Sequence, residues 1–183
     1  MYNTLVCNFL GGPGTGKSTM AGSVYSELKW RGIETEIVFE FAKELVWEKR
    51  TETFKDQIYI FGEQYHRIFR LLNQVEVIVV DSPLLLTPIY DQEHRSNLES
   101  LSVNEFNRFN NYNIFISREK PYNPNGRNQD ENGAIEKDCE ILRLLNRYNV
   151  QFDVLPGRRD SIIPICDRIT TQLLPTLSRI HHE

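Results

Sequence analysis

The run Gly11-Gly12-Pro13-Gly14-Thr15-Gly16-Lys17-Ser18-Thr19 holds the residues of this sequence best suited to chemistry. It satisfies G-x-x-x-x-G-K-[ST], with Gly11, Gly16, Lys17 and Ser18 in the fixed slots. Glycines at this density let the backbone turn tightly enough for successive N–H groups to face a phosphate chain. Lys17 supplies a cation for the terminal phosphates, and the Ser18 hydroxyl can ligate Mg²⁺. A helix after the loop adds the positive end of its dipole. These features specify a nucleoside triphosphate site.

Such a loop needs a strand before it and a helix after it. Thr4–Leu10 reads as a short buried strand, and Met20, Val24 and Leu28 recur at helical spacing over Ser18–Trp30. Arg31-Gly32 supplies a basic last turn and a terminator. A second strand is expected at Glu34–Phe41, and a long helix from Thr53 to Asn73. The apolar face of that helix would be Ile58, Phe61, Tyr65, Ile68, Phe69 and Leu72, leaving Gln57, Glu63, Gln64 and Arg67 for solvent or a cleft. Val75–Val80 is nearly all apolar and too short for a typical helix, as a strand covered on both faces would be. Asp81 closes it.

Helical pieces follow near Leu84–Tyr90 and Val103–Asn110, then a strand at Tyr112–Ser117. Residues 118–133 are polar and rich in Pro, Asn and Gly, as a surface loop or lid would be. A helix over Ala134–Asn149, a strand at Phe152–Leu155 and a helix over Ile162–Leu177, interrupted near Pro164 and Pro175, complete the pattern. Alternating strands and helices predict an α/β fold: a five-stranded parallel sheet between helical layers, with ligands at the carboxyl ends of the strands. One domain over residues 1–183 is expected, with its lid at 118–133.

Composition narrows the class. A net charge of −4 argues against a broadly basic nucleic-acid surface, though not against a local basic groove. The three cysteines, Cys7, Cys139 and Cys166, are far apart and form no C-x-x-C pair, as in a reducing interior. No apolar run approaches the ~18 residues of a membrane span. The chain begins on a core strand without a signal peptide, so a cytoplasmic location is expected.

The remaining residues bear on the reaction. A guanine-reading N-K-x-D is absent, and Asp81 is followed by Ser82 and Pro83, not by the glutamate that polarises water in motors. Transfer of the γ-phosphoryl group to an acceptor remains. It requires held phosphates and metal, an aligned hydroxyl and neutralised charge. Asp81 stands where it can hold Mg²⁺ with Ser18, or cap the next helix. Glu40 would face the cleft and orient or deprotonate an acceptor hydroxyl, unless it is an ordinary exposed carboxylate. Arg118 and Arg127 lie where they can close over the γ-phosphate, or are surface arginines. Phe41, Phe61 and Tyr65 can stack on a base or pack in the core, and Arg158-Arg159 can touch an adenine or a phosphate, or solvent. His66, His94, His181 and His182 form no metal spacing.

The phosphate loop, Glu40-Phe41-Ala42-Lys43-Glu44-Leu45-Val46, Gly62-Glu63-Gln64-Tyr65 and Val79-Val80-Asp81-Ser82-Pro83 together resemble a family of small P-loop kinases. That family is typified by the nicotinamide-riboside kinase domain of the bacterial NAD-biosynthesis regulator. Its stand-alone copies are common in bacterial viruses and often labelled AAA-type ATPases. The resemblance spans roughly residues 4–157. It implies ATP and Mg²⁺ at Gly12, Pro13, Gly14, Thr15, Gly16, Lys17, Ser18 and Thr19. It also implies Glu40 near the acceptor hydroxyl, Asp81 on the metal side, and Arg118 or Arg127 on the transferring phosphate. The loop reads Gly-Pro-Gly-Thr where the nicotinamide-riboside branch tends to Glu-Ser-Ser, and the partner adenylyltransferase domain is absent, which leaves the acceptor open. The expectation is a kinase for a small nucleoside- or nucleotide-like acceptor. The alternatives are a kinase for hydroxymethylpyrimidine bases in viral DNA, using a basic channel of Lys43, Lys49, Arg50, Arg67, Arg158 and Arg159, and a non-catalytic nucleotide-binding switch.

Overall fold

The structure, a computed structural model, describes residues 2–119 and 131–180, without the side chains of 175–180. Its strands are β1 (Leu5–Leu10), β2 (Thr35–Val38), β3 (Val77–Val80), β4 (Asn110–Ser117) and β5 (Asp153–Pro156). Between and after them run α1 (Lys17–Trp30), α2 (Phe41–Trp47), α3 (Gln57–Phe69), α4 (Thr87–Tyr90), α5 (Ser96–Phe106), α6 (Glu131–Arg147) and α7 (Ile162–Ile180). All five strands are parallel, in the order β2-β3-β1-β4-β5. The strand feeding the phosphate loop is therefore central, and the strand ending at Asp81 is its immediate neighbour.

Every residue of β1 is buried, because helices cover both faces of the sheet. Leu5, Cys7 and Phe9 point to one side, with Val77, Val79, Ile114 and Ile116, under α1 and α7. Val6 and Leu10 point to the other, with Ile78, Val80 and Phe115, against α3, α5 and α6. A smaller cluster of Phe41, Leu45 and Ile60 fastens α2 to α3. Among the described residues no helix is long and apolar enough to cross a membrane.

Several expectations differ from the structure; the helix expected near Val103–Asn110 is instead α5, Ser96–Phe106, and Asn110 already begins β4. The second strand stops at Val38, and Phe41–Trp47 is helical. Thr51–Lys55 is a short 3-10 turn, and α3 begins only at Gln57, capped by the Asp56 carboxylate accepting the Tyr59 N–H at 3.1 Å. The buried face of α3 is rotated from the expected one: Gln57, Ile60, Phe61, Gln64 and Ile68 are inside. Ile58 and Phe69 are 57% and 45% exposed. The reason is polar satisfaction. Gln64 Oε1 accepts the Phe41 N–H and its Nε2 donates to the Ser82 carbonyl, both at 3.0 Å, so α3 turns its glutamines inward. Finally, α7 is continuous. Pro164 occupies its first turn, where a missing N–H costs nothing.

A ladder of buried amides crosses the sheet beneath the site. Asn8 on β1 donates through Nδ2 to Asn113 Oδ1 at 2.9 Å and to Asn111 Oδ1 at 2.8 Å on β4. Asn113 passes its own amide to the Gln151 carbonyl, and Asn111 passes its own to the Phe106 carbonyl. Replacing Asn8 with Val strands two acceptors in the core. It should cost about 1–3 kcal/mol per unsatisfied group, read as a lower urea midpoint; an unchanged midpoint would show that the asparagines of β4 re-pair.

Candidate active site

Gly14 and Gly16 stand at φ 84° and 98°, left-handed conformations that a side chain disfavours. Gly16 caps α1 without a side chain of its own, so the first N–H groups of the helix are left for an anion. Lys17 folds back, its Nζ donating to the Gly12 carbonyl at 3.0 Å, which also accepts from Thr15 Oγ1 at 3.1 Å. From the opposite side the turn after β5 closes against the loop. A Cβ on Gly157 would fall 2.4 Å from the Thr15 carbonyl oxygen, so the approach admits only glycine there.

A cavity of about 460 Å³ opens beside the loop. Pro13, Gly14, Gly16, Lys17, Ser18 and Thr19 form one wall. Glu40, Ala42, Lys43, Val46, Phe54, Gln57, Ile60, Gln64, Ser82, Leu86, Thr87, Tyr90 and Gln92 form the rest. Glu40 is the N-cap residue of α2, so the β2–α2 junction carries it into the cleft. Burial holds its carboxyl above the ordinary range; Lys17 opposes that shift and Asp81 adds to it. Burial likewise lowers the proton affinity of Lys17, while Glu40, Asp81 and Asp138 push it back up. Lys17 and Glu40 thus line the same cleft, with Asp81 and Asp138 within electrostatic reach behind it.

Asp81 is 1% exposed, and its Oδ1 is buried without a hydrogen-bond partner. An orphaned carboxylate oxygen within electrostatic reach of Lys17, the residue that precedes Ser18, fits a hard divalent cation. No group of three or more His, Cys, Asp or Glu gathers as a metal cage among the described residues. A Mg²⁺ held by Ser18 and Asp81 would therefore complete its shell with nucleotide oxygens and water.

Other candidates fall elsewhere. Arg118 is fully engaged: it donates to Asp138 Oδ2, to the Pro13 carbonyl at 2.9 Å and to the Ala134 carbonyl. Arg127 lies outside the described residues, as does most of the expected lid. Arg158 is half exposed and ion-paired with Asp160 at 3.3 Å and Glu119 at 4.0 Å. Phe41, Phe61 and Tyr65 pack against Tyr59, Phe69 and Phe109 and do not line the cavity, so of the two readings open for them the packed one is what the structure shows. Sequence reasoning missed Thr87, Tyr90, Gln92 and Asp138, none of which belongs to a motif; Gln57 and Gln64, expected to face solvent or a cleft, do line the cavity.

A family profile described as an AAA domain matches residues 6–161. No curated protein matches the chain. Among solved structures, the chain is similar to deoxyadenosine kinase from M. mycoides with bound dATP. The identity is 18%, the TM-score 0.54, and the match covers 93% of this chain and 99% of that one. That likeness establishes the fold, a parallel α/β sandwich carrying a P-loop, shared with that kinase. The matched span runs from β1 through the phosphate loop, Glu40, Asp81 and Arg118 to the turn after β5, and the chain belongs to the AAA-domain family.

Proposed function

We propose that the protein is an ATP-dependent phosphotransferase that moves the γ-phosphoryl group to a hydroxyl of a nucleoside-like acceptor. One observation carries this reading. A carboxylate of raised proton affinity, Glu40, shares one cavity with the phosphate loop and its lysine, and that cavity continues into a half-apolar pocket. A switch protein needs the phosphate wall alone; the second half is room for an acceptor.

The loop N–H groups of Gly14, Gly16, Lys17, Ser18 and Thr19 would hold the phosphates, with Gly12, Pro13 and Thr15 setting the curve. Lys17 would leave the Gly12 carbonyl for the β- and γ-phosphates. Bound Mg²⁺, held by Ser18 and Asp81, would neutralise charge on the transferring group. Glu40 would accept the proton of the acceptor hydroxyl as its oxygen bonds to the γ-phosphorus, while the bond to the β-phosphate oxygen breaks and ADP departs. Arg158, beside Gly157, would flank the base, and Arg127 would neutralise the transferring phosphate. Phe54, Ile60 and Leu86 offer an apolar surface to a ring, and Gln57, Thr87 and Gln92 offer polar groups at its edge. The resemblance to nicotinamide-riboside kinases and their viral copies makes nicotinamide riboside one acceptor to try.

Kinase action on DNA is less favoured. Arg50, Arg67 and Arg158, three of the residues that would form a basic channel, are each ion-paired with carboxylates.

The test is transfer from γ-labelled ATP across nucleosides, nucleoside monophosphates, nicotinamide riboside, and duplex DNA with and without hydroxymethyluracil. Label on a small acceptor is expected; label on modified DNA alone would replace the proposal, and no transfer by protein that binds ATP would favour the switch. Lys17→Ala should abolish transfer by removing the phosphate cation. Glu40→Gln should lower kcat by about 10²–10⁴-fold with ATP affinity little changed. Because Glu40 acts deprotonated and burial raises its pKa, activity should be lost on acidification at a pH above the usual carboxylate range, and Glu40→Gln should erase that limb. An unchanged acid limb in the variant would remove Glu40 from the role of base.

A further inference from the structure

The phosphate-loop pattern leaves the second position free, yet this chain has Gly12 there. The space around it gives the reason. A Cβ on Gly12 would lie 2.7 Å from both the Ala134 carbonyl oxygen and Asp138 Oδ1. Helix α6 is thus pressed against the loop, and Asp138, one helical turn beyond Ala134, reaches in. Its Oδ1 accepts the Gly12 N–H at 2.6 Å. Its Oδ2 accepts from Arg118 Nε at 3.1 Å and Nη2 at 2.8 Å. Arg118 in turn donates through Nη1 to the Pro13 carbonyl at 2.9 Å. Three consecutive backbone groups are therefore held: the Gly12 N–H by Asp138, the Gly12 carbonyl by Lys17 and Thr15, and the Pro13 carbonyl by Arg118.

The charges raise a further problem. A bare carboxylate 2.6 Å from the loop backbone would repel the polyphosphate the loop receives. Both partners of the Arg118–Asp138 pair are about 15% exposed or less, so solvent screens this charge poorly. Arg118 cancels it. The pair presents a neutral clamp to the loop and leaves Lys17 as the loop's own cation in the cleft.

We infer that Asp138 and Arg118 form a charge-neutral positioning pair that fixes the nucleotide-binding curvature of the phosphate loop, with Arg118 neutralising Asp138 rather than contacting the transferring phosphate. The inference rests on the proposed nucleotide site but not on the identity of the acceptor. It makes the two side chains interdependent in a way that an arginine acting on the γ-phosphate would not be. Removing Arg118 alone uncovers a negative charge at the loop; removing both does not.

The experiment is calorimetric ATP binding, without acceptor, to the full chain and to Asp138→Asn, Arg118→Gln, the double variant and Lys17→Ala. Arg118→Gln should weaken ATP binding about tenfold or more, and adding Asp138→Asn should recover most of the loss, with kcat for any acceptor following affinity. A double variant as weak as, or weaker than, Arg118→Gln would overturn the inference. A kcat loss in Arg118→Gln that Asp138→Asn leaves untouched would return Arg118 to the transferring phosphate. If Lys17→Ala binds ATP normally, the nucleotide site itself is wrong and the inference falls with it. Should the variants fail to fold, amide exchange in the parent protein decides the matter. The Gly12 N–H should exchange slowly with and without ATP, and fast exchange would refute the clamp.

Discussion

An ammonium group drawn in from solvent, at a place kept open for phosphates, is the constraint around which this molecule is built. Without nucleotide, Lys17 needs both hydrogen-bond acceptors and negative charge nearby, because burial penalises its protonated form. The Gly12 carbonyl supplies the acceptor, and Glu40, Asp81 and Asp138 supply the field. Those carboxylates come from β2, β3 and α6, so the lysine is satisfied only when the central sheet and the helix after β4 are assembled. The same field is tuned by proximity in both directions: Lys17 restrains the rise in the proton affinity of Glu40, and Asp81 opposes that restraint. A site organised this way is poised for a polyanion, which exchanges one set of counter-charges for another.

The strand order explains how so few residues suffice. With β3 directly beside β1, Asn8 stands opposite Val80, and Asp81 emerges one residue on, level with Phe9 and two residues short of the loop. The β2 register places Val38 against Val80 as well, which brings Glu40 to the same rim two residues later. Three adjacent parallel strands thus deliver the loop, Asp81 and Glu40 to one edge. The β4 and β5 side contributes support of another kind: Arg118 just past the end of β4, and Gly157 just past the end of β5, both press on loop backbone.

The elements legible in the sequence were those whose signals are local. The loop follows a fixed pattern, β1 and β3 are short apolar runs, and α1 repeats apolar residues at helical spacing. Helix α2 was overlooked because Glu40–Val46 continues from a strand without a break, although Phe41 and Leu45 already stand one turn apart on its buried side. The orientation of α3 was misread because glutamine counts as polar in any periodicity argument. Gln64 is nevertheless among the better-buried residues of that helix, both ends of its amide being taken by backbone. Asp138 was invisible for a different reason. Its role depends on how close α6 lies to Gly12, a distance that no spacing along the chain encodes. Arg118 was noticed for its charge, but the partner that occupies it lies 20 residues further on.

The contact between the turn after β5 and the loop gives the chain a temporal order. The phosphate-binding motif is complete by residue 19, yet its backbone is braced at Thr15 by Gly157. During synthesis the motif leaves the ribosome long before α6 and β5 exist to shape it. A nascent chain would carry the whole loop as a slack ribbon until β5 forms and its following turn docks against Thr15.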